Sequence, residues 1–161
     1  MKVYELRREQ WIAAPIERVF PFFADARNLE RITPSWLGFR ILTPGDIEIE
    51  TGTRIDYALR LAGVPVRWRT RISDWKPTEG FADRQERGPY ALWEHHHHFR
   101  ALDGGVLMTD VVRYALPLGW LGRVAHCLAV RSVLAAIFDH RAREIRKLFP
   151  AADARCPQAV S

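Results

Sequence analysis

Residues 81–99 read FADRQERGPYALWEHHHHF, and the alternation in this stretch decides the fold. Gly88-Pro89 breaks it into two extended segments, each with polar side chains at every second position. Successive side chains of a strand point to opposite faces. Trp93, His95, His97 and Phe99 therefore share one face, and Leu92, Glu94, His96, His98 and Arg100 share the other. Two histidines between a tryptophan and a phenylalanine are not a solvent-facing pattern. With that face inward they are the polar lining of a pocket. Four consecutive histidines also suggest an affinity tag, but the run is internal, short and continuous with the strand alternation on both sides. It reads as native sequence.

Strand patterning extends outward from this stretch. Residues 66–75 place Val66, Trp68, Thr70 and Ile72 on one face and Arg67, Arg69 and Arg71 on the other. The arginine stripe reads as the wet side of a half-exposed antiparallel strand. Residues 53–62 alternate Ile55, Tyr57, Leu59 and Leu61 against Arg54, Asp56, Ala58 and Arg60, with a turn at Gly63. Shorter extended pieces are expected at Phe39–Leu42 and Ile47–Glu50, around a Pro44-Gly45 turn. Residues 2–12 form a strand whose parity is undecided between Tyr4, Leu6 and Ile12 and the pair Val3 and Trp11. Two short helices follow it. The first opens at Pro15 and carries Ile16, Val19, Phe20 and Phe23 at helical spacing. The second spans 26–31 with Asp25 as N-cap.

On the C-terminal side, Asp103-Gly104-Gly105 is a hairpin signal. Strand 106–115 follows, with Met108, Asp110, Val112 and Tyr114 on one parity. After an apolar loop, 116–120, the stretch Leu121–Phe149 contains no proline and predicts one long helix. Leu121, Val124, Leu128, Ala135, Phe138, Ala142, Ile145 and Phe149 recur at helical steps and predict its core-facing stripe. The pattern is that of an α+β domain: a curved antiparallel sheet of about six to seven strands wrapped around one long C-terminal helix. Such a helix cannot fill a wide curved sheet, so a cavity is expected between them. Residues 1–149 read as a single domain and 150–161 as a disordered tail.

Composition narrows the function classes. At 161 residues the chain is long enough for one domain with a real core. A net charge of +5 permits anionic partners, yet the basic residues are spread along the chain and no nucleic-acid motif is present. Cys127 and Cys156 are far apart and lack metal-type spacing, which argues against a disulfide framework. The N-terminus, MKVYEL, is unlike a signal peptide, and no uninterrupted apolar run reaches the roughly 18–20 residues of a membrane span. The expected setting is cytoplasmic, without stable membrane insertion. No sequence feature sets an oligomeric state.

Particular residues add a family resemblance. They are Asn28-Leu29 with Ile32-Thr33-Pro34; Gly52 followed by Ile55-Asp56-Tyr57; and Trp68 with Ile72. Phe81-Ala82-Asp83-Arg84-Gln85, Gly88-Pro89-Tyr90 and Trp93-x-His95-x-His97-x-Phe99 continue the set. Asp110-x-x-x-Tyr114-x-x-Pro117 and Phe138-x-x-Arg141 complete it. The chain resembles, over residues 2–149, the SRPBCC superfamily: helix-grip proteins that include START domains, polyketide cyclases and birch-pollen-type allergens. It is locally most similar to the bacterial cyclase/dehydrase-like ligand-binding group. The resemblance implies a helix-grip fold and a hydrophobic small-molecule ligand such as a lipid, quinone or polyketide-like compound. It does not fix a reaction, because superfamily members range from lipid carriers to enzymes.

If the concave face is the parity of Trp68, Trp93 and Tyr114, it also carries Asp83, Gln85, His95, His97 and Asp110. With Tyr90, Phe138 and Arg141 from the resembling motifs, these are the candidate ligand contacts. Buried ionisable groups cost several kcal/mol unless paired, so a connected Asp–His network is expected. One reading is a closed network that only fixes strand register. A second takes the same groups as orienting a ligand in an apolar aromatic pocket. A third is cyclase- or dehydratase-type acid–base catalysis by His95 with Asp110 or Asp83, although the sequence shows no unique pairing. His95 and His97 could also meet at one metal ion with Asp83 or Asp110 as third ligand. His-x-His is common without metal and no further histidine shares the parity, so neither metal nor cofactor is assigned. The apolar loop Leu116–Leu121 reads as a plug for the open end of the sheet; the alternative is a gate in transient contact with a membrane.

Overall fold

The computed structural model describes residues 1–151. Most of the expected tail, including Cys156, lies outside the described residues. The chain begins with β1 (Tyr4–Ile12), α1 (Ile16–Ala24) and α2 (Asn28–Ile32). A short 3-10 turn, Ser35–Leu37, leads into the two-residue strand β2 (Arg40–Ile41). Next come β3 (Arg54–Leu61), β4 (Val64–Lys76), β5 (Gly80–Arg87), β6 (Leu92–Leu102) and β7 (Gly105–Ala115). The chain closes with α3 (Gly119–Ala125), a π-helical turn (His126–Val130) and α4 (Arg131–Leu148), which run together as one helix.

The seven strands form one antiparallel sheet in the order β1-β7-β6-β5-β4-β3-β2. β4 slips register between Arg69 and Thr70 and again between Ile72 and Asp74. Such bulges increase local twist and bend the strand. Gly80 opens β5 so close to the His97 carbonyl that any side chain there would collide with the β6 backbone. Glycine at this position seats β6 against β5, directly beside the histidines.

The concave face and α4 bury one another. Phe138 and Leu134 pack against Val112 and Tyr114, while Ile145 joins Ile12, Val19, Phe20, Phe99, Val106 and Met108. Each such large apolar side chain contributes about 1.5–3 kcal/mol when fully buried. The undecided parity of β1 resolves inward for Tyr4, Leu6 and Ile12, because Trp11 remains 49% exposed. The arginine stripe is on the wet face, where Arg69 makes a two-pronged pair with Asp56 at 2.8 and 2.9 Å.

Several local expectations are corrected. Residues 47–50 are not a strand, and the expected Phe39–Leu42 strand shrinks to Arg40–Ile41. Asp25 does not cap α2; its carboxylate accepts from the Arg27 amide at 2.9 Å, closing the turn ahead of that helix. The long helix is interrupted by its π turn, and this breaks the predicted stripe. A π turn inserts one residue, so a 3.6-residue period extrapolated through it comes out rotated. Leu121, Val124 and Leu128 are consequently 50%, 47% and 79% exposed, while Gly122, His126, Leu134, Phe138, Arg141 and Ile145 are the buried positions. Length and composition would let this 30-residue helix cross a membrane, but α4 is the core helix of the domain.

The loop before α3 is not a plug. Leu118 in the loop and Trp120 in the first turn of α3 are 75% and 64% exposed, and the loop borders a separate depression with Met1, Lys2, Tyr4 and Ala91. Leu118 and Gly119 both take positive φ, which turns the chain outward there. Sequence hydrophobicity cannot distinguish a buried apolar loop from an exposed one.

Candidate functional site

A cavity of about 160 Å³ lies between the sheet, α4 and the two short helices. Its walls are mostly apolar: Phe22 and Phe23 from α1, Leu29 and Ile32 from α2, and Ile41, Ile55, Tyr57, Ile72, Phe81 and Trp93 from the sheet. Thr70, Asp83, His95, His97 and Arg141 supply most of the polar lining. Helical spacing in α1 and α2 marks only burial and does not distinguish Phe22, Phe23 and Leu29 as wall residues. Tyr57 and Thr70 were legible on the inward parities of β3 and β4.

Strand pairing sets the polar groups in register. Asp83 lies opposite His95 across β5–β6, and His97 lies opposite Asp110 across β6–β7. His95, His97 and Asp110 are 5%, 4% and 4% exposed. Asp110 Oδ1 is 3.0 Å from His95 Nε2 and 2.8 Å from His97 Nδ1. The first is a hydrogen bond; the second is a charge contact outside hydrogen-bond alignment. On the cavity side, Asp83 Oδ2 is 3.8 Å from His95 Nδ1 and 3.7 Å from His97 Nε2. The other oxygen, Asp83 Oδ1, accepts from the Thr70 hydroxyl at 2.9 Å. Phe81 stacks on His97 at 4.2 Å and Phe138 meets His95 edge-on at 5.5 Å, holding both rings.

The four groups divide their protons unequally. Burial lowers the His95 pKa to about 4, with the neighbouring His97 charge adding to the effect, so His95 is neutral at neutral pH. Burial also works against charge on His97, but the Asp110 and Asp83 carboxylates outweigh it and raise its pKa. Asp83 and Asp110 are held below the usual carboxylate range, because the imidazoles outweigh the burial that would lift them. An imidazole whose pKa is lowered and one whose pKa is raised stand side by side, 3.8 Å between ring centres.

Of the residues read from the sequence, the cavity brings together Asp83, Trp93, His95, His97 and Arg141. Arg141 is buried, lies over the Phe138 ring at 5.2 Å, and is paired with no carboxylate among the described residues. The other candidates stand off. Gln85 ties down the β5–β6 turn, its amide donating to the Tyr90 carbonyl at 2.7 Å. Trp68 and Tyr90 pack with Trp93 in an aromatic cluster behind the wall. Tyr114 is 3.0 Å from His126 Nε2, a link between β7 and the π turn that nothing in the sequence singled out. Phe138 and Asp110 back the histidines without lining the cavity.

The family described as polyketide cyclase/dehydrase and lipid transport matches residues 12–138. The chain belongs to this family. It is a helix-grip protein of the SRPBCC superfamily, with the seven-stranded sheet and long C-terminal helix that the resemblance implied. Among curated proteins none matches it. Solved structures share the fold at low identity. TTHA0849 from Thermus thermophilus is 19% identical, with a TM-score of 0.73 over 94% of this chain and 100% of that one. The Zhui aromatase/cyclase from Streptomyces sp. R1128 is 16% identical, with a TM-score of 0.67 over 94% and 99%. Ginseng major latex-like protein 151 from Panax ginseng is 11% identical, with a TM-score of 0.67 over 92% and 98%.

Proposed function

We propose that this helix-grip domain binds a small hydrophobic molecule with an oxygen-rich, preferably anionic, head. The observation that carries the reading is Arg141: a buried guanidinium, unpaired among the described residues, facing the same apolar cavity as His95, His97 and Asp83. A guanidinium matches a carboxylate or enolate in a two-pronged geometry, and its burial without a counterion is costly until such a group arrives. The volume narrows the ligand. About 160 Å³ is the scale of a cavity that holds one aromatic ring, so a long tail would have to leave through the cavity mouth. Small aromatic acids and compact polyketide-like compounds fit better than a whole lipid. The family description and the aromatase/cyclase fold neighbour support the same ligand class.

Native mass spectrometry and thermal-shift screening test this. An aromatic carboxylate should raise Tm, and Arg141→Met should weaken it about 10- to 100-fold, the loss of one charge-assisted hydrogen bond of about 1.5–3 kcal/mol. If no such compound stabilises the protein, the reading fails.

A second reading, a cyclase- or dehydratase-type enzyme, is favoured by the divided histidine pair. Neighbouring groups with separated pKa values suit acid and base roles. His97 would donate a proton and His95 accept one, with Asp83 beside both and Asp110 holding both rings. Turnover lost in His97→Gln with ligand binding retained would separate enzyme from carrier.

The exposed Leu118, Trp120, Leu121 and Leu128 lie in an acid-free stretch, 111–138, that carries Arg113, Arg123 and Arg131. They support transient contact with an anionic membrane during ligand exchange, which vesicle co-sedimentation would test. We place the protein in the cytoplasm, with no nucleic-acid partner.

A further inference from the structure

The inner nitrogens of the two buried histidines converge on a carboxylate that neither hydrogen-bonds. His95 Nδ1, His97 Nε2 and Asp83 Oδ2 all lie within 4.8 Å of one another, and all three residues line the cavity. An ionised carboxylate accepts hydrogen bonds and cannot donate them. Asp110 Oδ1 therefore calls for N–H on His95 Nε2, its hydrogen-bond partner, and lies 2.8 Å from His97 Nδ1 without hydrogen-bond alignment. In neutral His95 that tautomer leaves the inner Nδ1 as a bare lone pair. That lone pair and the Asp83 carboxylate oxygen face one another, which is repulsive unless a cation sits between them: a proton held on His97 Nε2, or a metal ion that displaces it.

We propose that Asp83, His95 and His97 form a divalent transition-metal site at the wall of the cavity. Each ligand has the outer partner such a site needs. Asp110 fixes the tautomer and orientation of His95 and lies 2.8 Å from His97 Nδ1, and Thr70 donates to Asp83 Oδ1 so that Oδ2 alone turns toward the histidines. Carboxylate–histidine–metal arrangements of this kind orient first ligands and raise their basicity. The Asp83–His separations of 3.7 and 3.8 Å need little closure. Tetrahedral ligands at bond lengths of about 2.0–2.1 Å lie about 3.3 Å apart. Two imidazoles and one carboxylate suit Zn²⁺, Fe²⁺, Co²⁺ or Mn²⁺ better than Ca²⁺ or Mg²⁺, which prefer all-oxygen sites. Three protein ligands leave at least one position open, and it faces the cavity, where water or a ligand oxygen would complete the shell.

This site stands apart from the apolar-ligand reading, since the metal alone is the probe. Tag-free protein stripped with a chelator is titrated calorimetrically with Zn²⁺, Co²⁺ and Mn²⁺. The expected result is one ion per chain, a raised Tm, and visible absorption of the Co²⁺ form indicating a nitrogen–oxygen shell. Asp83→Asn, which retains an oxygen for Thr70, should weaken binding at least about 10-fold. The outer-face double variant His96→Ala/His98→Ala should bind as wild type does. Ring-nitrogen NMR of the unaltered protein gives a reading free of any folding change, because Zn²⁺ should move the signals of His95 Nδ1 and His97 Nε2. Absence of saturable binding by any of the three ions overturns the proposal. So does binding lost with His96 and His98 but kept in Asp83→Asn, which would assign the ion to the surface pair.

Discussion

β6 carries four consecutive histidines and treats them as two unrelated pairs. His96 and His98 stack at 6.2 Å on the outer face, partly or fully in solvent, with no carboxylate partner among the described residues. His95 and His97 are sealed inside, each between Asp83 and Asp110, and their pKa values move in opposite directions. Residue type is the same on both faces. Strand parity and the neighbours across β5 and β7 make the difference, by removing water and fixing two carboxylates within a few ångströms.

The largest expected effect breaks the inner pair. Asp110→Ala strips both imidazoles of their shared partner and should cost about 3–5 kcal/mol by urea denaturation. A loss below about 1 kcal/mol would mean that the buried network does not hold the sheet together. The histidines should also give metal-stripped protein a two-sided pH profile. His95 has a folded pKa of about 4, so stability falls as pH drops from the ordinary imidazole value of about 6.5 toward 4 and the unfolded chain takes up a proton there. His97 has a raised folded pKa, so its contribution is complete below about pH 6.5 and is lost as pH rises through that raised value. Maximum stability near pH 6.5 is expected, and His97→Asn should flatten the alkaline side in thermal melts. A profile unchanged by His97→Asn would contradict a raised His97 pKa. The smallest effect belongs to the outer pair: His98→Asn should stay within about 0.5 kcal/mol of wild type. A larger cost would erase the contrast between the faces.

The helix repeats the lesson along its length. Phe138 and Ile145 face the sheet as their spacing predicted, whereas Leu121, Val124 and Leu128 continue the same stripe on paper and end in solvent. The π turn at His126–Val130 rotates one half against the other. Composition gives no warning of it, because an inserted residue is stabilised by tertiary contacts. Here those include His126, stacked on Tyr4 at 3.5 Å and 3.0 Å from the Tyr114 hydroxyl. The same limit explains the site. Alternation put Asp83, Gln85, His95, His97 and Asp110 on one face, yet a shared face does not say which side chains reach a cavity. Gln85 is drawn to the adjacent turn, and Asp110 is directed behind the histidines.

The sequence by itself determined the succession of strands, the shared face of His95 and His97, and the helix that covers the sheet. These follow from local periodicity, which a two-residue pleat or a 3.6-residue turn imposes on any buried face. Only the tertiary structure decided which carboxylate faces the cavity and which stands behind, that Arg141 arrives there unpaired, and that half of an apolar helix remains outside. Those outcomes depend on distances of a few ångströms between residues far apart in the chain, and no periodicity encodes them.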